Sequence, residues 1–264
     1  MTTTVCAHAL LQGTPGQTVI LGPADGRPFA GQVILGGTIP VMIAGTRLGP
    51  EAETAWLQVV GSLWLPGTAH ARRGSIARII SPCSFGPEPL PVRLWRHGFS
   101  LAWITMSDKG ARGERPDASG PMIPELIRSA LPLDLIQGFM LPDSRSELKS
   151  LLIHLALELR FDVIVTSGGT GVSPRDITPE VTAEILERRL RGFEQAMLQA
   201  SLDKTPHAVI SRATSGILGT SLLINLPGSP KGVRENLAPL LPALRHTLDK
   251  IHNDPRDCGA DLPD

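Results

Sequence analysis

The chain has 264 residues, of which 42% are hydrophobic and 19% charged, and its 25 Lys and Arg balance 25 Asp and Glu. That balance removes the broad electrostatic field a nucleic-acid or membrane-surface binder uses, and 4% aromatics without a tyrosine leave little for a base-stacking platform. The length exceeds the roughly 100 to 200 residues of one domain, so one large domain or a domain plus an appendage is expected, with ample apolar content for a core.

The N-terminus, "MTTTVCAHALLQ", lacks a basic segment followed by an apolar one, and no window in the chain nears the ~20 apolar residues of a membrane span. A cytoplasmic protein without membrane or nucleic-acid partners is expected. Cys6, Cys83 and Cys258 are odd in number and far apart, without zinc or disulfide spacing, and read as reduced thiols. Short apolar runs follow, "QTVIL", "GQVIL" and "IPVMIA", punctuated by "PADG" and "GG", the pattern of strands joined by tight turns. Trp56 and Trp64 read as packing residues of this β-rich unit. Four prolines in "SPCSFGPEPLP", Ser81 to Pro91, exclude a continuous helix or central strand and suggest an extended connector. Residues 1–91 are therefore expected to form a small, mostly β unit plus linker, residues 92–253 a second domain, and 254–264 a flexible tail.

After residue 91 strands and helices alternate. "FSLAWIT" reads as a buried strand, "PMIPELIRSAL" as a helix, and "LDLIQGFML" as ending in a strand. "SRSELKSLLIHLALELR" carries a stripe of Leu148, Leu151, Leu152, Leu155 and Leu159, with Ser144 and Glu147 spaced as a capping box. His154 lies off that stripe and reads as an exposed histidine. "FDVIV" and the following Thr166 form the next strand, and Thr178 and Pro179 mark the next helix start. "HAVIS" and "SLLIN" read as strands. A last helical stretch carries Leu237, Leu241, Leu244, Leu248 and Ile251, interrupted or restarted at Pro239 and Pro242, with a frayed end at His252. The pattern predicts an α/β fold: a three-layer α/β/α domain with a mostly parallel sheet, preceded by the β unit.

In such sheets ligands gather beyond the carboxyl ends of the strands. "TSGGTGVSPRDITPE" lies at such an end. Gly168, Gly169 and Gly171 free the backbone N-H groups to face an anion, and the helix start adds positive potential, so a phosphate is the natural guest. No Walker lysine follows, and the glycine order departs from the dinucleotide fingerprint, so alone the loop reads equally as a glycine-rich turn. Two further loops, "TMSDKGARGERPDASGP" and "INLPGSPKG", follow other strands and complete a pocket. Asp143 and Asp176, both at strand-to-helix junctions, suit a divalent cation near phosphates; each alone could be a solvated helix cap. Lys231 is either a phosphate contact or a solvated lysine of a first helical turn.

"SGGTG" with "PRDITPE", "TMSDKGARGERPDASGP", "LPD" and "INLPGSPKG" together resemble the MogA/MoaB family of molybdenum-cofactor biosynthesis proteins, including the adenylating domains of gephyrin-like proteins. The resemblance covers residues 99 to about 252. It implies a molybdopterin-binding α/β domain that assembles as a homotrimer, alongside other proteins of that pathway, and adenylates molybdopterin using ATP and magnesium. By motif, Asp143 and Asp176 match the family's two catalytic acids and would hold Mg2+. Gly168, Gly169, Thr170 and Gly171 would contact pterin or phosphates. Ser107, Asp108, Ser119 and Gly120 would line the pocket from the first loop, Ser215 and Gly216 from a later segment, and Asn225, Pro227, Gly228, Ser229 and Lys231 from the last. The family often has Asn where "PGSP" has Ser229. Two alternatives stand beside the adenylyltransferase: a non-catalytic molybdopterin carrier of the same fold, and a nucleotide-hydrolysing relative of the CinA type.

Overall fold

Strand-forming runs dominate the first hundred residues, and in the computed structural model they close on one another; residues 2–6, 11–23, 32–36, 42–50, 54–65, 72–85 and 90–253 are described. The chain divides into two units, residues 1–99 and 100–264.

The first unit contains β1 (Thr2–Cys6), β2 (Leu11–Gly13), β3 (Thr18–Pro23), β4 (Gln32–Gly36), β5 (Arg47–Gly49), β6 (Leu57–Leu65), β7 (Arg72–Ile79), β8 (Cys83–Phe85) and β9 (Leu90–Trp95). Seven of these form a closed barrel in the order β1-β4-β3-β7-β6-β5-β9, while β2 and β8 pair separately. Closure leaves no open sheet edge in that barrel. Val19, Leu21, Leu48, Leu57, Val59, Ala77, Ile79 and Val92 fill its core, with Cys83 buried and free beside them. Trp56 packs against that core, but Trp64 is 68% exposed, contrary to the packing role expected of it. Of "IPVMIA", residues 42–44 are not strand, and the rest lies outside the described residues. Cys258, the side chain of Cys6 and the tail from 254 also lie outside them.

The expected linker is not a free connector. Cys83–Phe85 pairs with β2, and Leu90–Trp95 pairs with both β1 and β5, so the division falls after Phe99 rather than at residue 91. Proline excludes a helix there, yet an extended proline-bearing stretch can still join a sheet wherever its missing N-H is not required.

The second unit contains β10 (Phe99–Met106), α1 (Asp108–Ala111), α2 (Met122–Ile127), β11 (Leu133–Leu141), α3 (Arg145–Ile153) running into a π-turn at His154–Glu158, β12 (Val163–Ser167), α4 (Thr178–Ile185) and β13 (Arg188–Arg189). There follow α5 (Arg191–Leu202), a 3-10 turn (Pro206–Ile210), β14 (Ser215–Leu218), β15 (Ser221–Leu226), α6 (Pro230–Leu237), a second 3-10 turn (Ala238–Leu240) and α7 (Leu241–Ile251). The sheet order is β11-β10-β12-β15-β14-β13. Its centre is parallel, with Leu101 opposite Val163 and Val163 opposite Leu222, whereas β14 and β13 extend it antiparallel. All five residues of β12 and all six of β15 are buried, as near-continuous apolar runs in a covered parallel sheet require. Helices flank it in two groups: α5 and α6 pack together with α2, and α3 packs on α4.

Four local expectations give way. "HAVIS" is not a strand: Thr205 caps a 3-10 turn, its hydroxyl accepting from the His207 N-H at 3.3 Å, and Pro206 takes the first turn position. Helix-start chemistry outweighs a short apolar run there. Ser144 begins α3 without the capping bond, its hydroxyl instead 3.4 Å from that of Ser146. Thr178 is the first residue of α4 rather than its cap, and its buried hydroxyl donates to the Gly168 carbonyl at 2.9 Å. His252 is not frayed: its Nε2 lies 3.3 Å from the buried Asp162 carboxylate, which also accepts from the N-H and hydroxyl of Ser100 at 2.6 and 2.7 Å.

Candidate active site

The parallel registers bring three strand ends level: Thr105 of β10 lies opposite Ser167 of β12, and Ser167 opposite Leu226 of β15. Each end then turns into a helix. Ser107 caps α1, its hydroxyl accepting from the Gly110 N-H at 3.1 Å, and Ser229 caps α6 by accepting from Gly232 at 3.0 Å. Between them runs the glycine loop. Gly168 and Gly169 adopt φ of +104° and +66°, values an L side chain resists, and a Cβ on Gly169 would stand 2.4 Å from the Thr178 hydroxyl. Gly168 donates to the Leu226 carbonyl at 3.0 Å, and a Cβ on Gly228 would stand 3.2 Å from the Gly168 Cα. Glycines on both loops let the two backbones meet.

A cleft of about 770 Å³ opens over these loops. One wall carries Ser107, Asp108, Asp143, Arg175 and Asp176; its floor is Gly168 to Gly171, and Pro227, Gly228, Ser229 and Lys231 close another side. The acids form one constellation. The Asp143 N-H donates to the Asp108 carboxylate at 3.0 Å, and Arg175 pairs with Asp108 while standing 3.7 Å from Asp143. Asp176 accepts from the Ser173 N-H at 2.8 Å. Burial, and after it the nearby Asp176 charge, pushes the Asp143 carboxyl above its usual range. A carboxyl raised by burial and by a neighbouring negative charge, beside a glycine loop, is a place where a cation would be welcome. Lys231 reaches the cleft with its side chain 78% exposed, 3.9 Å from Glu235.

The other expected residues lie elsewhere. Ser119 is buried and accepts from the Ser167 hydroxyl at 3.0 Å; it lines a separate hollow of about 130 Å³ beside Ser107 and Asp117. The Gly120 N-H is held by Asp117 at 2.8 Å, and Gly120 lines neither space. Ser215 and Gly216 sit within the buried strand β14, where the Ser215 hydroxyl donates to the Leu223 carbonyl at 2.9 Å. Asn225 is buried in β15 beneath the cleft, its amide donating to the hydroxyls of Thr166 and Thr182 at 2.9 and 3.0 Å. None of these residues lines the cleft, and the buried Asn225 Oδ1 is left without a hydrogen-bond partner among the described residues.

A family model described as a probable molybdopterin binding domain matches residues 102–246, more than half of the chain and the whole of this constellation. The chain belongs to the MogA/MoaB family. The molybdopterin adenylyltransferase of Helicobacter pylori is 39% identical over 150 residues, covering 56% of this chain and 85% of that protein. The gephyrin of Dictyostelium discoideum is 39% identical over 162 residues, 58% of this chain but 22% of the gephyrin. Among solved structures, the molybdopterin biosynthesis enzyme MoaB of Thermus thermophilus is 40% identical with a TM-score of 0.54, over 58% of this chain and 96% of that one.

In this MogA/MoaB chain the cleft has a second wall that the sequence reading missed. Thr205, His207, Ile210 and Ser211 form it with Glu235 and Asn236 of α6. The Thr-Pro pair ahead of His207 was the available signal for a turn. Asn236 is the buried polar residue on the inner face of α6, between Val233 and Leu237, its amide donating to the Ser201 hydroxyl and the Gly232 carbonyl, both at 2.9 Å. Such a side chain needs partners, and here they join α5 to α6.

Proposed function

We propose that this chain is a molybdopterin adenylyltransferase of molybdenum-cofactor biosynthesis, joining molybdopterin to the AMP portion of ATP with release of pyrophosphate. The observation that carries the reading is the placement of Asp143 and Asp176 on one wall of a glycine-floored cleft, close enough for the charge of one to perturb the other. The family match and the adenylyltransferase relative support it.

The chemistry needs no covalent protein intermediate. A terminal phosphate oxygen of molybdopterin attacks the α-phosphorus of ATP; that P–O bond forms as the bond to the β-phosphate oxygen breaks, and the electron pair leaves with pyrophosphate. The protein's work is to bring two polyanions together and hold them in line. The backbone of Gly169 to Gly171 and the capped helix starts at Ser107 and Ser229 provide N-H groups at the cleft, and Lys231 and Arg175 provide positive charge beside it. Asp143 and Asp176 fit Mg2+, which is bound by one or two carboxylates together with substrate phosphates, and when bound it would neutralise charge on the phosphates. Residues of the 205–211 segment also line the cleft and would contact the guest. The homotrimer, the cytoplasmic setting and further pathway partners belong to the same proposal. Incubating the protein with molybdopterin, ATP and magnesium should yield adenylated molybdopterin; tight pterin binding without product would assign the chain to a carrier instead.

A further inference from the structure

We infer that Arg212 is the positioning residue for Asp176: one guanidinium clasps both ends of the 171–176 turn from behind and so fixes where that carboxylate points. The inference rests on the reading of Asp176 as catalytic. Arg212 is not part of the cleft wall. It lines a neighbouring hollow of about 490 Å³ with Glu180, Arg189 and Glu194, on the far side of the loop. Its Nε donates to the Gly171 carbonyl at 2.6 Å, an Nη to the Asp176 carbonyl at 2.7 Å, and the other Nη pairs with Glu180 in the first turn of α4. The Arg212 backbone N-H adds a bond to the Thr170 carbonyl at 3.1 Å.

Apart from Arg212, the turn is tied to its surroundings by the Arg175 ion pair with Asp108. Val172, Ser173, Pro174 and Arg175 are all exposed, Val172 to 65%, so no apolar side chain anchors the segment. Inside it, Asp176 makes only a local ring, accepting from the Ser173 N-H at 2.8 Å through its carboxylate and donating its own N-H to the Ser173 carbonyl at 2.9 Å. That ring orients the carboxylate relative to the turn. Arg212 orients the turn relative to the cleft. A fork of rigid donors reaches two carbonyls and a carboxylate at once, which the point charge of a lysine cannot do. Arg212 follows the 205–211 segment directly in the chain, so the turn is tied to the residue at which that segment ends.

The test is a double-mutant cycle with an independent structural readout. Arg212→Gln should lower kcat about 10- to 100-fold while changing the KM for molybdopterin by less than about 3-fold, and Arg212→Lys should fall between the two. In an Asp176→Asn background, Arg212→Gln should cost less than about 3-fold further, because a residue acting through Asp176 has nothing left to position. Hydrogen exchange at the amides of Ser173 and Asp176 should quicken about tenfold or more in Arg212→Gln, while exchange in β12 stays unchanged. Costs that multiply in the double mutant would overturn the inference, as would unchanged exchange or an unchanged kcat. A parent protein that makes no adenylate would overturn the functional reading instead, and the exchange measurement would then decide alone whether the clasp exists.

Discussion

Replacing Asp143 by Asn separates what the cleft costs from what it does. The carboxyl is held above its usual range by burial first and the Asp176 charge second. Between the ordinary carboxylate range and that raised value, the folded chain binds more protons than the unfolded one, so stability falls as pH rises through this window. Above it the whole cost of the ionised Asp143 is present; below it the cost is gone. Asn removes the charge and keeps the shape, so the variant should be slightly more stable at neutral pH, with the difference closing on acidification. Asp143 borders an open, solvated cleft that screens its charge, which limits the gain to about 0.3 kcal/mol, or about 1 °C in melting temperature for a unit of this size. Turnover should fall on the order of 100-fold, about 2.7 kcal/mol of transition-state stabilisation, while molybdopterin binding changes little. Magnesium should raise the melting temperature of the parent more than that of the variant. Thermal unfolding from pH 3.5 to 8, with and without magnesium, together with adenylate formation, measures all of this. A variant several degrees less stable at neutral pH, or one with full turnover, would refute the reasoning.

Thr178→Val deletes the buried hydroxyl that donates to the Gly168 carbonyl and should cost about 1 to 3 kcal/mol, a drop of several degrees in melting temperature, with weaker pterin binding by calorimetry. Gly169→Ala forces a side chain into φ +66° and against Thr178, so it should destabilise by about 1 kcal/mol or more in denaturant titration and cripple turnover. Asp162→Ala strips the Ser100 N-H and hydroxyl of their acceptor at the amino ends of β10 and β12; it should cost about 2 to 3 kcal/mol, yet leave the KM for molybdopterin unchanged in protein that remains folded. A fragment of residues 97–253 should fold and bind molybdopterin alone, and insolubility of that fragment beside a soluble full chain would make the barrel part of its folding unit.

The floor of the site was legible in the sequence because parallel strands send their following loops to one end, and "SGGTG", "LPD" and "NLPGSP" all follow strands. Ser215, Gly216 and Asn225 were assigned to the pocket by the family resemblance, yet they lie within buried strands, where alternation turns successive side chains to opposite faces. The second wall was hidden because five residues of "HAVIS" are too few for a period to separate strand from 3-10 turn. Arg212 left no sequence signal at all, since a guanidinium that reaches main-chain carbonyls has no partner residue type to search for. The barrel was legible as strands, not as a closure: which strand returns to which depends on pairings such as β1 with β9, nearly ninety positions apart.

The parallel centre of the second unit has a consequence for how the chain is made. Val163 of β12 waits for Leu222 of β15, and at roughly 5 to 20 residues per second a ribosome needs about 3 to 12 seconds to supply it. Through that interval the apolar face and unpaired edge of "VIVTS" stand open in a nascent chain, and the glycine loop above it lacks the Leu226 carbonyl that Gly168 requires. The cleft end of the sheet therefore cannot be completed until β15 has been made.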